Sequence, residues 1–126
     1  MCGIVGIAQQ DGRRRFNADD VGRMADKIFH RGPDDEGIHA AGEVVLGLRR
    51  LSIIDLEGGH QPIANEDGTI WVVNNGEIYN FQRLREELLR KGHTFTTHSD
   101  TEVLVHLYEE HGESFLEHLE GMFAIA

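Results

Sequence analysis

The single cysteine of this sequence stands at position 2, directly behind Met1 and ahead of Gly3-Ile4-Val5-Gly6-Ile7. A side chain that small allows Met1 to be trimmed, and the exposed residue would then carry a thiol and a free α-amine together. An α-amine titrates at about 7.7 to 8.0 and a thiol at about 8.5, so near neutral pH the amine can take the thiol proton and make a nucleophile without a separate histidine. A chance cysteine beside a start codon accounts for the same observation, so the rest of the chain has to decide. The eight histidines offer a different chemistry. They form no His-Glu-x-x-His motif, and His93/His98 and His106/His111 are spaced five apart, poorly placed for one helical face. No metal site is therefore expected. No Walker-type phosphate loop occurs either, and Gly58-Gly59 reads as an isolated turn.

A nucleophile at position 2 needs an element to hold it. Ile4-Val5-Gly6-Ile7-Ala8 is a short apolar run that reads as a buried strand beginning almost at the terminus. Asn17 then precedes an i, i+3, i+4, i+7, i+8 stripe of Val21, Met24, Ala25, Ile28 and Phe29, which predicts a capped helix over 18–29. Strands are expected at Gly37–Ala40, Val44–Leu48, Leu51–Ile54 and Thr69–Asn74, the last running into Asn75-Gly76, a strong hairpin signal. Asn80 opens a second helix with Phe81, Leu84, Leu88 and Leu89 on one face and Gly92 as its stop. Ser99 and Asp100 open a third, carrying Val103, Leu104, Leu107 and Tyr108 and ending at Gly112. A short helix at Glu113–Leu119 and a strand at Met122–Ala126 close the chain. Met24, Met122 and the aromatic residues read as core. Strands first and helices later, without regular alternation, indicate an α+β domain with mainly antiparallel sheet.

Composition narrows the function classes. The chain has 126 residues, the size of one domain, and 22 Asp and Glu oppose 12 Lys and Arg for a net charge of −10. Phosphate recognition is built from clustered Lys and Arg, so neither nucleic acid nor an anionic membrane surface is an expected partner. No stretch approaches the ~20 apolar residues of a membrane span, and no basic then apolar leader follows Met1. A single thiol that cannot close an intrachain disulfide fits a cytoplasmic location.

Six blocks in one order span the chain: Met1-Cys2-Gly3-Ile4-Val5-Gly6, His30-Arg31-Gly32-Pro33-Asp34, Arg50-Leu51-Ser52-Ile53-Ile54-Asp55, Asn75-Gly76-Glu77-Ile78-Tyr79-Asn80, Ser99-Asp100-Thr101-Glu102 and Gly121-Met122-Phe123-Ala124. Together they resemble the glutaminase domain of glutamine-dependent asparagine synthetases, within the class II glutamine amidotransferases. The resemblance implies an N-terminal nucleophile fold, a four-layer αββα sandwich of mainly antiparallel sheets. It implies that Cys2 attacks the side-chain amide of L-glutamine to form a thioester, and that Asn75 and Gly76 form the oxyanion hole. An Asn amide and a glycine N–H without a Cβ in the way are suited to that task. An ordinary hairpin turn accounts for the same dipeptide.

The head group of glutamine, an α-carboxylate and an α-ammonium, is assigned by the resemblance to Arg50 and Asp100, with Leu51, Ser52, Ile53, Ile54 and Glu77 completing the pocket. A planar guanidinium binds both oxygens of a carboxylate, and a carboxylate suits an ammonium. Read alone, Arg49-Arg50 would be a solvated pair at a strand edge and Ser99-Asp100 a helix cap. Leu48 departs from many relatives, which carry His there. The family's domain continues past the Gly121-Met122-Phe123-Ala124 block into a synthetase domain that consumes ammonia with ATP and magnesium. Residues 1–126 are accordingly expected to be an incomplete glutaminase domain, truncated at its C-terminus, that needs no cofactor of its own and works with a synthetase domain or chain. A homo-oligomer stays open. Two other readings remain: an N-terminal nucleophile amidohydrolase for a different amide, and a non-catalytic glutamine-binding or interaction module.

Overall fold

The computed structural model describes residues 2–10, 12, 15–51 and 59–126. In chain order its elements are β1 (Gly3–Ala8), α1 (Ala18–Lys27), a 3-10 turn (Phe29–Arg31), β2 (Asp35–Ala41), β3 (Val44–Arg50), β4 (Ile63–Ala64) and β5 (Trp71–Val72). They continue with β6 (Asn74–Ile78), α2 (Phe81–Lys91), α3 (Glu102–His111), a 3-10 segment (Gly112–His118) and β7 (Gly121–Ile125). Among the described residues every strand pair is antiparallel, in sheets ordered β1-β3-β2, β4-β5 and β6-β7. The expected α+β class with antiparallel sheet is what the chain forms.

Local chemistry explains the helix ends. Asn17 Oδ1 accepts from the Asp20 N–H at 3.2 Å while Asp20 Oδ2 accepts from the Asn17 N–H at 2.8 Å, a reciprocal capping box that starts α1. Its inner face buries Val21 and Ala25 completely against the first sheet. Gly47 makes that approach possible, because a Cβ there would lie 2.9 Å from a Val21 methyl carbon. Gly92 ends α2 with φ of 106°, a backbone state that glycine adopts without strain. Leu84 and Leu88 of α2 then join Val103, Leu104, Val105 and Leu107 of α3 in a core completed by Ile63, Val72 and Ile78.

The start of α3 is fastened by a buried carboxylate instead of a conventional cap. Glu102 accepts the N–H groups of Thr96 at 2.6 Å and Thr97 at 2.7 Å, and the hydroxyls of both threonines as well. Burial pushes its carboxyl up, but His106 beside it and these threonine hydrogen bonds outweigh burial and hold it at about 2.

Four expectations need correction. The strand foreseen at Thr69–Asn74 is divided at Val73, with β5 pairing to β4 and β6 to β7. Asn75-Gly76 is not a hairpin turn: both residues lie inside β6, opposite Ala124 and Phe123. Met24 and Met122 are not core residues, being 38% and 63% exposed, and Leu89 and Tyr108 lie at the exposed margins of their helix faces. The strand expected at Leu51–Ile54 is not seen at Leu51, which follows β3 as irregular chain, and Ser52, Ile53 and Ile54 lie outside the described residues. No helix among the described residues is long and apolar enough to cross a membrane.

Candidate active site

The register of the first sheet sets the site. Gly3 of β1 pairs with Arg49 of β3, so the next step along the ladder brings Cys2 to the level of Arg50 and Leu51. There the Leu51 N–H lies 3.5 Å from Cys2 Sγ, and the Leu51 carbonyl oxygen lies 3.9 Å from the same sulfur. Arg31 Nε donates to the Cys2 carbonyl at 3.1 Å, which ties the loop after α1 to the nucleophile's backbone. Gly3 must be small here, since a Cβ would sit 2.6 Å from Ile28 Cδ1.

Arg49 and Arg50 divide their work. Arg49 donates to the Gly32 carbonyl at 3.1 Å, pairs with Glu36 and lies over the Phe29 ring, so it is spent on structure. Arg50 lies at the cavity wall, 8% exposed, with Gly59 packed so closely that a Cβ there would be 2.2 Å from a guanidinium nitrogen. Neither is the solvated strand-edge arginine that the dipeptide alone suggests.

Opposite this wall runs β6. Val73 and Ala126 exchange both backbone hydrogen bonds, so by the alternation of an antiparallel ladder Asn75 and Glu77 turn their N–H groups toward β7. The N–H groups of Asn74, Gly76 and Ile78 point to the other edge. Two of those three are claimed there: Gln61 Oε1 accepts from Asn74 at 2.7 Å and Asp100 Oδ2 accepts from Ile78 at 2.8 Å. The Gly76 N–H lies between them on that edge, and Gly76 lines the cavity. Glycine is demanded at this position by β7, because a Cβ would approach the Met122 carbonyl oxygen to 2.1 Å.

Cys2, Arg50, Leu51, Asn75, Gly76, Glu77 and Asp100 thus line one cavity of about 460 Å³. The loop before β1, the end of β3, the middle of β6 and the approach to α3 supply them. Ser52, Ile53 and Ile54 are outside the described residues, so their relation to the cavity is not part of this geometry.

The family described as a glutamine amidotransferase domain matches residues 1–126. The chain belongs to this family. It is similar to the glutamine-hydrolysing asparagine synthetase 1 of Bacillus subtilis, 48% identical over 98% of this chain and 20% of that protein. Asparagine synthetase 3 of Arabidopsis thaliana is 46% identical over 98% of this chain and 21% of its own length. The chain therefore spans about a fifth of the length of the relatives it matches.

In this glutamine amidotransferase domain the cavity also gathers residues that sequence reasoning did not single out. Gln61, Asn74 and Thr101 form a buried network in the cavity wall, with the Gln61 and Asn74 amides each 3.4 Å from Thr101 Oγ1. Thr101 Oγ1 in turn lies 3.5 Å from Asp100 Oδ1, so the network reaches the carboxylate. His98, Phe81 and Met122 also line the cavity. Met122 was readable only as an apolar residue of a closing strand, and its place at the cavity follows from its pairing opposite Glu77. The histidines also assemble across elements: His93 packs on His106 with ring centroids 4.9 Å apart, and His111 stacks on His118 at 4.1 Å.

Proposed function

We propose that this chain is the glutaminase part of an asparagine synthetase-like enzyme, hydrolysing L-glutamine to glutamate and ammonia through a Cys2 thioester. The observation that carries the reading is the convergence of Cys2, Arg50, Asn75, Gly76 and Asp100 on one cavity. Membership of the amidotransferase family and the likeness to glutamine-hydrolysing asparagine synthetases support it independently.

Once Met1 is removed, the Cys2 α-amine takes the thiol proton and the thiolate attacks the side-chain amide carbon of glutamine. The Asn75 amide and the Gly76 N–H stabilise the oxyanion, a contribution of ~10² to 10³ in rate per donor. The C–N bond then breaks, the ammonium group of Cys2 protonates the leaving nitrogen, and ammonia departs from a glutamyl thioester. Water, deprotonated by the same amine, attacks the thioester, and glutamate leaves with the thiol restored. Arg50 clamps the substrate carboxylate and Asp100 receives its ammonium, with Leu51 and Glu77 beside them in the cavity; the assignment of Ser52, Ile53 and Ile54 to the same pocket rests on the family resemblance alone. Asp100 Oδ2 accepts from the Ile78 N–H and Oδ1 lies 3.5 Å from Thr101 Oγ1, so both contacts orient the carboxylate that receives the ammonium.

The fold belongs to the same reading. α1 packs on the β1-β3-β2 sheet, α2 and α3 form a core with residues of β4, β5 and β6, and β1 meets β6, contacts that support the four-layer αββα sandwich. The ammonia is passed to a synthetase domain or chain, with which ATP and magnesium belong.

Intact mass measured before and after treatment with a glutamine-like electrophile tests the site. The expected result is a chain lacking Met1 that gains one adduct, at Cys2, and is protected by glutamine. Labelling that glutamine does not slow would overturn the reading.

A further inference from the structure

Away from the cavity, three elements bring a second set of polar groups together. Glu66 in the loop between β4 and β5, His93 just after α2, and His106 and Glu109 on α3 each direct one ligand atom at a common point. These four atoms all lie within 4.8 Å of one another. We propose that they form a binding site for a divalent transition-metal ion, zinc above all.

The two histidines reach Glu66 through different oxygens of its carboxylate: His106 Nδ1 is 3.2 Å from Oε2, and His93 Nδ1 is hydrogen-bonded at 3.2 Å to Oε1, while Glu109 Oε2 lies 3.7 Å from His93 Nδ1. Glu66 would give the ion one of these oxygens, and the ion would replace the His93 hydrogen bond. A tetrahedral ion with bonds of about 2.0 to 2.1 Å has ligand-to-ligand edges of about 3.3 Å. Glu109 is partly exposed, so its carboxylate has room to close the remaining distance. Two imidazoles and two carboxylates are a nitrogen and oxygen donor set that zinc accepts, and the two negative charges balance the ion.

His106 supplies an independent observation. The residue is completely buried, and neither ring nitrogen has a hydrogen-bond partner among the described residues. Its 3.2 Å approach to Glu66 lacks hydrogen-bond geometry. A buried imidazole without partners is costly, and a metal on Nδ1 removes that cost.

The far side of the His93 ring agrees: its Nε2 is hydrogen-bonded to Glu110 Oε1 at 3.1 Å, whereas Glu102 Oε1 is 3.9 Å from His106 Nε2, beyond hydrogen-bond distance. Metal-bound histidines characteristically turn the second ring nitrogen to a carboxylate, which fixes the tautomer that leaves the other nitrogen bare. Glu102 is itself held by Thr96 and Thr97. An ion at this point would join the β4-β5 loop, the end of α2 and α3, the helix whose start carries the Asp100-Thr101 wall of the cavity.

Metal-free protein titrated with Zn²⁺ by calorimetry, and with Co²⁺ by absorption, tests the proposal. One ion per chain should bind, the melting temperature should rise by several degrees, and Co²⁺ should give a tetrahedral spectrum without a sulfur charge-transfer band. Glu66→Gln, at a partly exposed carboxylate, and His93→Asn, at a nearly buried ring, should each weaken binding at least about tenfold, while His111→Asn, in the other histidine pair, should not. Circular dichroism of each variant verifies its fold, and Glu109→Gln replaces any variant that fails. Absence of binding, a thiolate band from Cys2, or equal affinity in the Glu66 and His93 variants would overturn it.

Discussion

At the scale of single residues, the proposed function assigns chemistry and recognition to different groups in the cavity. Cys2 is held by the Arg31 and Leu51 contacts, whereas Arg50 and Asp100 are fixed by β3 and by the end of β6. Arg50→Lys is therefore expected to weaken glutamine binding by about 1 to 3 kcal/mol, because a point charge cannot reproduce the planar fork. Calorimetric titration on a Cys2→Ala background measures this, and unchanged affinity would contradict the role given to Arg50. Asn75→Ala belongs to the other class. Its side chain is assigned to the transition state, so kcat should fall by ~10² to 10³ with little change in KM. Steady-state ammonia release resolves the two parameters, and a change confined to KM would refute the oxyanion assignment.

At the scale of elements, β6 and the start of α3 explain why the site holds together. Gly76→Ala places a methyl group against the Met122 carbonyl, so thermal or denaturant unfolding should reveal a loss of about 1 to 3 kcal/mol. Glu102→Gln weakens charge-assisted bonds to Thr96 and Thr97 and is expected to cost about 1.5 to 3 kcal/mol by the same measurement. These two positions also mark what the sequence makes legible. Glycine at position 76 was readable as necessary, but Asn-Gly satisfies both a hairpin turn and a strand pressed against a neighbour, and only the pairing with β7 distinguishes them. The capping box of Asn17 and the stop at Gly92 are local, so α1 and α2 were readable to within a few residues. Gln61, Asn74 and Thr101 meet only through tertiary packing, and no spacing along the chain announces them. His93 and His106 belong to the same class, since their rings meet across two elements and no spacing along the chain announces the contact.

At the scale of the whole molecule, β1 of the sheet covered by α1 meets β6, and the cavity is lined from both sides of that contact, by Cys2 and Arg50 and by Asn75 and Gly76. Leu104 lies in the core shared by α2, α3, β4 and β5, so Leu104→Ala should cost about 2 to 5 kcal/mol, against about 0.5 kcal/mol or less for the partly exposed Met24→Ala. Equal losses at the two positions, read from denaturant melts, would contradict this account of the core. The motif residues carried the site across this architecture because the strand register, once formed, leaves Cys2 beside Arg50. The central claim is that the residue behind Met1 performs the chemistry. Steady-state release of ammonia from glutamine by the wild type and by Cys2→Ala, both folded and both binding glutamine, tests it most directly. The account predicts measurable turnover in the first and none above background in the second; equal rates in the two proteins would contradict it.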